Sequence, residues 1–243
     1  MEIYRAFSRK QVTGAIFLDI ESAYDKVDPY ILFHTLNLMN ILVGYKKFLR
    51  NFLSARTVMF YESGSFLAKR EVSIGLPQGS VLSPLLFNIF VKDVLNYIPH
   101  RCTSVQFADD FVVTSSEPSL EGILENLSQA FPSLSDWLSS LGLSLYIAKT
   151  QAIIFSRRKN LILPDHILLN STPVQLSPVV KYLGLNLDVG LRWNSHLRSM
   201  DEKLLQYVNV LKWMAGPSWG IGPGAACYFI NATIASQMTW GSP

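Results

Sequence analysis

A chain of 243 residues, 49% of them hydrophobic and 16% charged, is long and apolar enough to bury one substantial core. This composition excludes a disordered tail and a coiled coil, while a formal net charge of +3 is too small to identify a polyanionic partner. Cys102 and Cys227 lack the spacing of a disulfide framework or a zinc site, so a reducing compartment is expected.

The N-terminal residues are charged and are not followed by the apolar run of a signal peptide. The most hydrophobic stretch, 81–91, is interrupted by Ser83, Pro84 and Asn88 and is far shorter than a membrane span. These features predict an intracellular protein of the nucleus or cytoplasm, with no membrane partner. They leave its oligomeric state open.

Short apolar or β-branched runs between turn-forming residues predict strands, and apolar residues spaced three and four apart predict helices. In the first half of the chain the predicted elements are a strand at 15–20, a helix from Pro29 to about 39, a hairpin of 58–61 with 66–73, and a helix from 79 to about 97. In the second half they are a hairpin of 105–107 with 111–113, a helix at 120–141, short strands at 144–147, 151–155, 167–169 and 182–187, and helices from 195 onward.

Prolines and glycines punctuate the predicted helices. Pro132 predicts a kink or a split in the helix at 120–141. Gly216-Pro217 and the run 222–224 predict breaks in the C-terminal helices. Because strands and helices are interleaved and antiparallel pairs are expected, the pattern indicates the α+β class.

Acidic residues stand at the ends of two predicted strands. Asp19 closes the first strand, and Asp109 and Asp110 lie at the tip of the 105–113 hairpin. Carboxylates brought together repel each other unless a cation neutralises them, and hard oxygen ligands of this kind suit magnesium. Two such ions would stabilise both oxygens of an in-line phosphoryl displacement. An Asp-Asp pair at a hairpin tip is also typical of a solvated turn, so the acids alone leave the function open.

Five segments, in order along the chain, resemble motifs A to E of the reverse transcriptases of non-LTR retrotransposons of the jockey-like kind. The segments are 17–27 for motif A, 75–88 (GLPQGSVLSPLLFN) for motif B, 107–110 for motif C, Gly142-Leu143 with Lys149-Thr150 for motif D, and 181–184 for motif E. The resemblance implies a right-hand polymerase palm, with helices packed on an antiparallel sheet, followed by a helical thumb. The palm with a remnant of the fingers would cover 1–188, and the thumb 189–243.

The same resemblance implies an RNA-directed DNA polymerase, which transfers a nucleotide from a dNTP to a primer 3′-hydroxyl. Its cofactors would be two Mg²⁺ ions, for which Mn²⁺ can substitute. Its partners would be an RNA template, a DNA primer or RNA–DNA hybrid, and dNTPs. The fingers motifs expected before motif A would be largely missing, which implies a truncated fragment whose activity is open.

The resemblance also implies roles for the acids and their neighbours. Asp19, Asp109 and Asp110 would be the catalytic metal ligands. The backbone carbonyl of Ile20 would assist at the substrate. Lys149 would protonate the pyrophosphate, although a solvated lysine at the end of a strand would look the same.

Further residues would position the nucleotide and the primer. Tyr24 would be a steric gate beneath the sugar, unless it is an ordinary core aromatic. Gln78 would contact the nucleotide or the template backbone, and Gly79 would let the main chain approach the substrate, although both also suit a plain turn. The primer grip, which a simple β-hairpin would also resemble, would be formed by Lys181, Tyr182, Leu183 and Gly184.

Two alternatives remain at the level of the sequence. One is a group II intron maturase or a telomerase-like relative. The other is a non-catalytic remnant that binds RNA or RNA–DNA hybrid.

Overall fold

The computed structural model describes residues 2–159, 161–216 and 219–240. The chain forms two compact units that divide between Leu176 and Ser177. Antiparallel strands and helices alternate in the first unit, which confirms the α+β class. The naming of 1–188 as palm and 189–243 as thumb stays a prediction.

The first unit begins with a helix and ends with a hairpin. In chain order its elements are α1 (Glu2–Ser8), β1 (Val12–Asp19), α2 (Pro29–Leu38), α3 (Val43–Leu53), β2 (Arg56–Glu62), β3 (Ser65–Val72), α4 (Ser83–Phe90), β4 (Thr103–Phe107), β5 (Asp110–Glu117), α5 (Leu120–Ser140), β6 (Gln151–Phe155), β7 (His166–Leu169) and β8 (Thr172–Gln175).

The second unit holds one hairpin and a run of helices. Its elements are β9 (Val179–Tyr182), β10 (Leu185–Asp188), α6 (Asn194–Met214), α7 (Pro223–Ile230) and α8 (Ser236–Thr239), with a π-helical turn between the last two. The predicted interruption of the C-terminal helices is confirmed at Gly216 and Gly222, which lie between α6 and α7. Pro223 and Gly224 instead begin α7, and Pro217 lies outside the described residues. No helix of the described residues combines the length and the apolar character needed to cross a membrane.

The main sheet is antiparallel with strand order β4-β5-β1-β6. Its centre is β1, which pairs with β5 from Val12 opposite Glu117 to Asp19 opposite Asp110. Helix α5 packs against β1 and β5. Because side chains alternate along a strand, Asp19 lies on the sheet face opposite to Gly14, whose face is covered by α5.

Two helix starts follow from local capping. The Asp28 carboxylate accepts a hydrogen bond from the Tyr30 backbone N–H, and Pro29 opens α2, as predicted from the dipeptide. The Ser119 hydroxyl likewise accepts from the Gly122 N–H at the start of α5. These caps fix where α2 and α5 begin.

Helix α5 runs without interruption through Pro132, so the predicted split is wrong, while the alternative of a kink stays a prediction. A proline inside a helix costs about 3 kcal/mol because it removes a backbone donor and crowds the preceding turn. Leu127 lies before the proline, Leu134 and Leu138 lie after it, and all three are buried in the core. Burial of both halves offsets the local cost.

Three further predicted elements differ from the structure. The helix expected from 79 to 97 ends at Phe90 and is followed by a 3₁₀ turn. The strand expected at 144–147 is wrong, since a single bridge joins Leu145 to Ile20 before another 3₁₀ turn begins. The strand expected at 182–187 is a hairpin, because the chain reverses at Leu183-Gly184, where both residues have positive φ.

Gly14 is required by the packing of α5 on β1. A Cβ at this position would lie 2.4 Å from Ile123 Cγ2 and 2.8 Å from Leu127 Cδ1. Gly14→Ala therefore overpacks the core, and we expect it to lower the free energy of unfolding by about 1–3 kcal/mol, measured in urea. The control is Gly44→Ala in α3, where a Cβ would meet nothing within 4 Å and where alanine is the better helix former. Equal losses in the two variants would contradict this packing.

Candidate active site

One open cleft of about 800 Å³ lies at the end of β1 in the first unit. Four segments distant in sequence form it: the loop after β1, the turn before α4, the tip of the β4–β5 hairpin, and the 3₁₀ turn after α5. The predicted site residues that line it are Asp19, Ile20, Tyr24, Gln78, Gly79, Asp109 and Lys149.

The three aspartates meet through the register of β1 and β5. Asp19 and Asp110 are the last paired residues of that ladder. Asp109 lies directly before Asp110, in a two-residue turn with Ala108, which has a positive φ of 53°. Asp19 and Asp109 line the cleft, whereas Asp110 is half-buried beside them.

The electrostatics of this group are unfavourable in the absence of a cation. Burial raises the pKa of Asp110, and the negative charges of Asp109 and Asp19 raise that pKa further. The carboxylates of its cross-strand partner Asp19 and of the preceding turn residue Asp109 thus disfavour ionisation of Asp110. A bound cation would relieve this repulsion.

Lys149 is the cation that the protein itself supplies to this cleft. Its ammonium nitrogen lies 3.2 Å from Asp19 Oδ2 and 4.7 Å from the centroid of the Tyr146 ring. The turn that carries the lysine is tied to β1, because the Tyr146 N–H donates to the Asp19 carbonyl over 2.8 Å. The ion pair with Asp19 was not expected from the sequence.

The position of Tyr24 bears on both interpretations that the sequence left open, a steric gate and a core aromatic. Its ring stacks on the fully buried Phe87 of α4, with centroids 5.2 Å apart and an interplanar angle of 26°. The same tyrosine lines the cleft. Burial and the charge of Asp109 raise the pKa of its phenol. It is a core aromatic on one side and a wall of the cleft on the other.

The turn before α4 is held against the loop after β1. Gly75 has a φ of 84°, its N–H donates to the Val27 carbonyl over 2.8 Å, and a Cβ there would lie 2.7 Å from the Asp25 carbonyl oxygen. The guanidinium of Arg56 donates to the carbonyls of Ile74 and Gly75 over 2.8 and 2.7 Å. Desolvation by burial lowers the pKa of this arginine.

Gln78 and Gly79 follow this anchored turn. The Gln78 amide donates to Asp25 Oδ1 over 3.0 Å, which orients it at the edge of the cleft. Gly79 has a φ of 83°, and a Cβ there would meet nothing of the protein within 4 Å. The glycine is therefore needed for its backbone conformation, while the space above it is open to a ligand.

A further polar network joins the loop after β1 to the segment that follows α5. The Lys26 ammonium donates to Glu21 Oε2 over 2.7 Å and to the Ser144 hydroxyl over 2.8 Å, and that hydroxyl donates to the same carboxylate. The hydrogen bond and charge of Lys26 lower the pKa of Glu21. Sequence reasoning missed this network, together with Asp25, Arg56 and Phe87, because each depends on a partner distant in the chain.

The predicted primer-grip residues lie in the second unit. Lys181 and Tyr182 end β9, and Leu183-Gly184 form the turn to β10. The Trp240 indole N–H donates to the Leu183 carbonyl over 3.1 Å, and a Cβ on Gly184 would lie 2.9 Å from that indole nitrogen. The turn is thus packed beneath a tryptophan.

The donor set of the cleft suits a divalent ion whose remaining ligands come from outside the protein. Within the described ranges, no three His, Cys, Asp or Glu side chains are grouped so as to hold a metal ion by themselves. Asp19 and Asp109 offer carboxylate oxygens into the cleft. Magnesium is commonly held by one or two carboxylates together with waters and substrate phosphates.

Comparison with known sequences identifies relatives across most of the chain. Residues 2–187 match the family described as reverse transcriptase (RNA-dependent DNA polymerase). The chain is 23% identical, over 97% of its length, to the RNA-directed DNA polymerase from mobile element jockey of Drosophila melanogaster, of which it covers 26%. It is 26% identical, over 87% of its length, to the probable RNA-directed DNA polymerase from transposon BS of the same fly, of which it covers 24%.

The chain therefore spans about a quarter of the length of these two relatives, as the shares of 26% and 24% show. Among solved structures, it is similar to apo telomerase from Candida tropicalis truncated from its C-terminal domain, with a TM-score of 0.52 at 14% identity. That likeness covers 77% of this chain and 37% of the telomerase chain, and it concerns the fold alone.

The repulsion at Asp110 predicts a pH-dependent stability. A carboxyl whose pKa is raised on folding, from an ordinary value of 3.8, binds its proton more tightly in the folded state. As the pH rises above 3.8, the unfolded state loses this proton first, and the free energy of unfolding falls. In buffer without divalent ions, Asp110→Asn should therefore be more stable than the wild type at pH 7, and the gain should vanish below pH 3.8. Urea unfolding across this pH range measures the difference.

The control for this variant is Asp165→Asn, at an exposed position outside the cleft, which should not reproduce the gain. A gain for Asp110→Asn that stayed the same from pH 3 to pH 7 would contradict the electrostatic explanation.

Proposed function

Because the chain belongs to the reverse transcriptase family, we propose that it is the palm and part of the thumb of a non-LTR retrotransposon RNA-directed DNA polymerase. The observation that carries the proposal is the common cleft of Asp19 and Asp109, with Tyr24, Gln78 and Lys149 on its walls. Residues from four separate sequence motifs would not otherwise be expected to converge on one space.

The proposed reaction extends a DNA primer on an RNA template. The primer 3′-hydroxyl loses its proton and its oxygen attacks the α-phosphorus of a dNTP, while the bond from that phosphorus to the pyrophosphate oxygen breaks. Such phosphoryl transfers depend mainly on positioning and on neutralisation of charge. The protein therefore has to hold the reacting groups in line and to balance the negative charge of the triphosphate.

The aspartates would hold the divalent ions of this reaction. Asp19 and Asp109 would be the principal ligands, with Asp110 beside them and the Ile20 carbonyl near the substrate. Two Mg²⁺ ions, with Mn²⁺ as a substitute, would supply charge stabilisation at the attacking and leaving oxygens. The raised pKa of Asp110 supports this assignment, because it reports negative charge in need of a cation.

Lys149 would donate a proton to the departing pyrophosphate. Its side chain is 63% exposed although it pairs with Asp19, so its long flexible stem is free to turn toward the substrate. An exposed ion pair of this kind is worth at most about 1 kcal/mol. The negative charge of a triphosphate would therefore compete readily with Asp19 for the lysine.

Tyr24, Gln78 and Gly79 would position the nucleotide. Phe87 holds the Tyr24 ring by stacking, which suits a rigid wall beneath the sugar that excludes a 2′-hydroxyl. The Gln78 amide, oriented by Asp25, would contact the nucleotide or the template backbone. The open space above Gly79 would admit the substrate close to the main chain.

The hairpin turn of the second unit would be the primer grip. Lys181 offers a cation and Leu183-Gly184 a tight, packed backbone turn for the primer end. Tyr182 would complete this segment as part of the β9 end.

Loss of one aspartate should abolish polymerisation. In primer extension on poly(A)/oligo(dT) with Mg²⁺ or Mn²⁺, Asp109→Ala should slow the reaction by about a hundredfold or more, since charge stabilisation of this kind is worth several kcal/mol. Asp93→Ala is the control, because that exposed carboxylate pairs with Lys92 outside the cleft. Hybrid binding by the wild type without any extension would contradict a polymerase and support a binding module.

Sugar selection should depend on the ring of Tyr24. Tyr24→Val should raise the incorporation of ribonucleotides relative to deoxyribonucleotides by about tenfold or more, because a space opens where the 2′-hydroxyl would clash. Tyr24→Phe is the matched control, since it keeps the ring stacked on Phe87 and should keep the selection. Competition assays with mixed nucleotides measure the ratio, and an unchanged ratio in the valine variant would remove the gate assignment.

A further inference from the structure

The β2–β3 hairpin is a two-stranded ribbon that is exposed on both of its faces. From residue 57 to residue 71 every side chain of the ribbon is exposed, including those of Phe60, Tyr61 and Phe66. An isolated ribbon of two strands is marginally stable in water. Its large apolar side chains therefore indicate a surface that meets a ligand.

The register of the ribbon separates its side chains into two faces. Cross-strand partners share a face and neighbours alternate. We define the inner face as Arg56, Val58, Phe60, Arg70 and Val72, which belong to one face by register and which line a second open groove of about 1120 Å³. The cross-strand pair Met59 and Lys69 lies on the outer face.

The groove and the acidic cleft adjoin each other at Gln78, which lines both spaces. The far wall of the groove is formed by that turn and by the C-terminal end of α5, at 139–142. A linear polymer that enters the cleft at Gln78 can thus continue along the inner face of the ribbon.

The chemistry of the inner face fits a nucleic-acid strand. Phe60 is 47% exposed and presents an aromatic ring, and the two charged residues of this face are both arginines. Arg56 is engaged with backbone carbonyls, whereas the Arg70 guanidinium has no ion-pair partner among the described residues. Aromatic rings that stack on bases beside a cation that meets phosphates are the common means of binding single strands.

The acids of the opposite wall are already engaged within the protein. Asp25 accepts from Gln78, and Asp28 accepts from the Tyr30 N–H at the start of α2. Glu71, which also borders the groove, belongs by register to the outer face with Thr57. The inner face itself carries its charge on two arginines, Arg56 and Arg70, so that face is positive.

We propose that the inner face binds the single-stranded part of the template, where it continues beyond the nucleotides paired with the primer. Phe60 stacks on an unpaired base, and Arg70 contacts an adjacent phosphate. This inference rests on the proposed function, because it takes its strand from the polymerase cleft. It assigns to the ribbon a role in holding the template before it is copied.

The test compares two nucleic acids and two pairs of variants. Fluorescence anisotropy of the full chain would measure affinity for an RNA–DNA hybrid with a single-stranded 5′ RNA overhang and for the same hybrid with blunt ends. Phe60→Ala and Arg70→Ala should each weaken binding of the overhang hybrid by about fivefold or more, and binding of the blunt hybrid by less than about twofold. Met59→Ala and Lys69→Ala, from the outer face of the same ribbon, should change neither affinity by more than about twofold.

Several results would overturn the inference. Equal affinities of the inner-face variants and the wild type for the overhang hybrid would do so. Equal losses from the inner and outer faces would show only a general effect of charge or fold, and circular dichroism of each variant separates loss of fold from loss of contact. Self-association of the wild type that Phe60→Ala abolishes, with RNA affinity unchanged, would make the ribbon a protein-binding surface.

The outcome is distinguishable from a failure of the proposed function. Asp109→Ala should lose extension while it keeps the preference for the overhang hybrid, because Asp109 does not line the groove. A wild type that binds the overhang through Phe60 but never extends a primer would sustain the ribbon inference and refute the polymerase. Primer extension by a chain whose overhang binding does not depend on Phe60 or Arg70 would sustain the polymerase and refute the ribbon inference.

Discussion

The register between β1 and β5 is the constraint on which the site depends. A slip of one residue would turn every side chain of β1 to the other face of the sheet, so that Asp19 would point into the core and Gly14 would no longer admit α5. The buried residues Ile16 and Phe111 fix this register, because each has nearly its whole surface removed from water. Hydrophobic packing thereby sets the positions of the three aspartates, whose carboxylates repel one another. The free energy gained by burying the core offsets this repulsion.

The second wall of the cleft is fixed by hydrogen bonds to the backbone. In the turn before α4, Leu76 is buried in the core, Gly75 and Leu76 donate to carbonyls of the loop after β1, and Arg56 holds the same turn from the ribbon. Leu76 joins specifically to Tyr24, whose ring rests on Phe87 of α4. The loop after β1, the turn and α4 are therefore held together as one unit, in which Tyr24 and Gln78 of the cleft wall are positioned by Phe87 and Asp25, which do not line the cleft.

The elements that the sequence predicts well are those whose signal is local. The strand at Asp19, the hairpin around Asp109 and the capped start of α2 at Asp28 each depend on neighbours within a few residues. The errors arise where tertiary contacts decide the local structure. Helix α5 continues through Pro132 because both its halves are buried. The segment at 144–147 forms one bridge to Ile20 because β1 ends there. The helices α1 and α3 were not predicted. For the site, the motifs predicted which residues share the cleft, but the pairs Lys149–Asp19, Gln78–Asp25 and Tyr24–Phe87 require knowledge of distances between motifs.

The cleft carries more negative charge than the side chains around it neutralise. Three aspartates lie at the end of one strand pair, and within the described ranges Lys149 is the cation that pairs with them. That lysine is mostly exposed, so water screens its charge and the pair contributes little. The remaining negative charge, reported by the raised pKa of Asp110, disfavours the approach of a triphosphate, which is itself an anion. Under the proposed function, binding of the nucleotide and binding of a divalent ion would therefore support each other, and a cleft that is unfavourable without ligands would become balanced when both are bound.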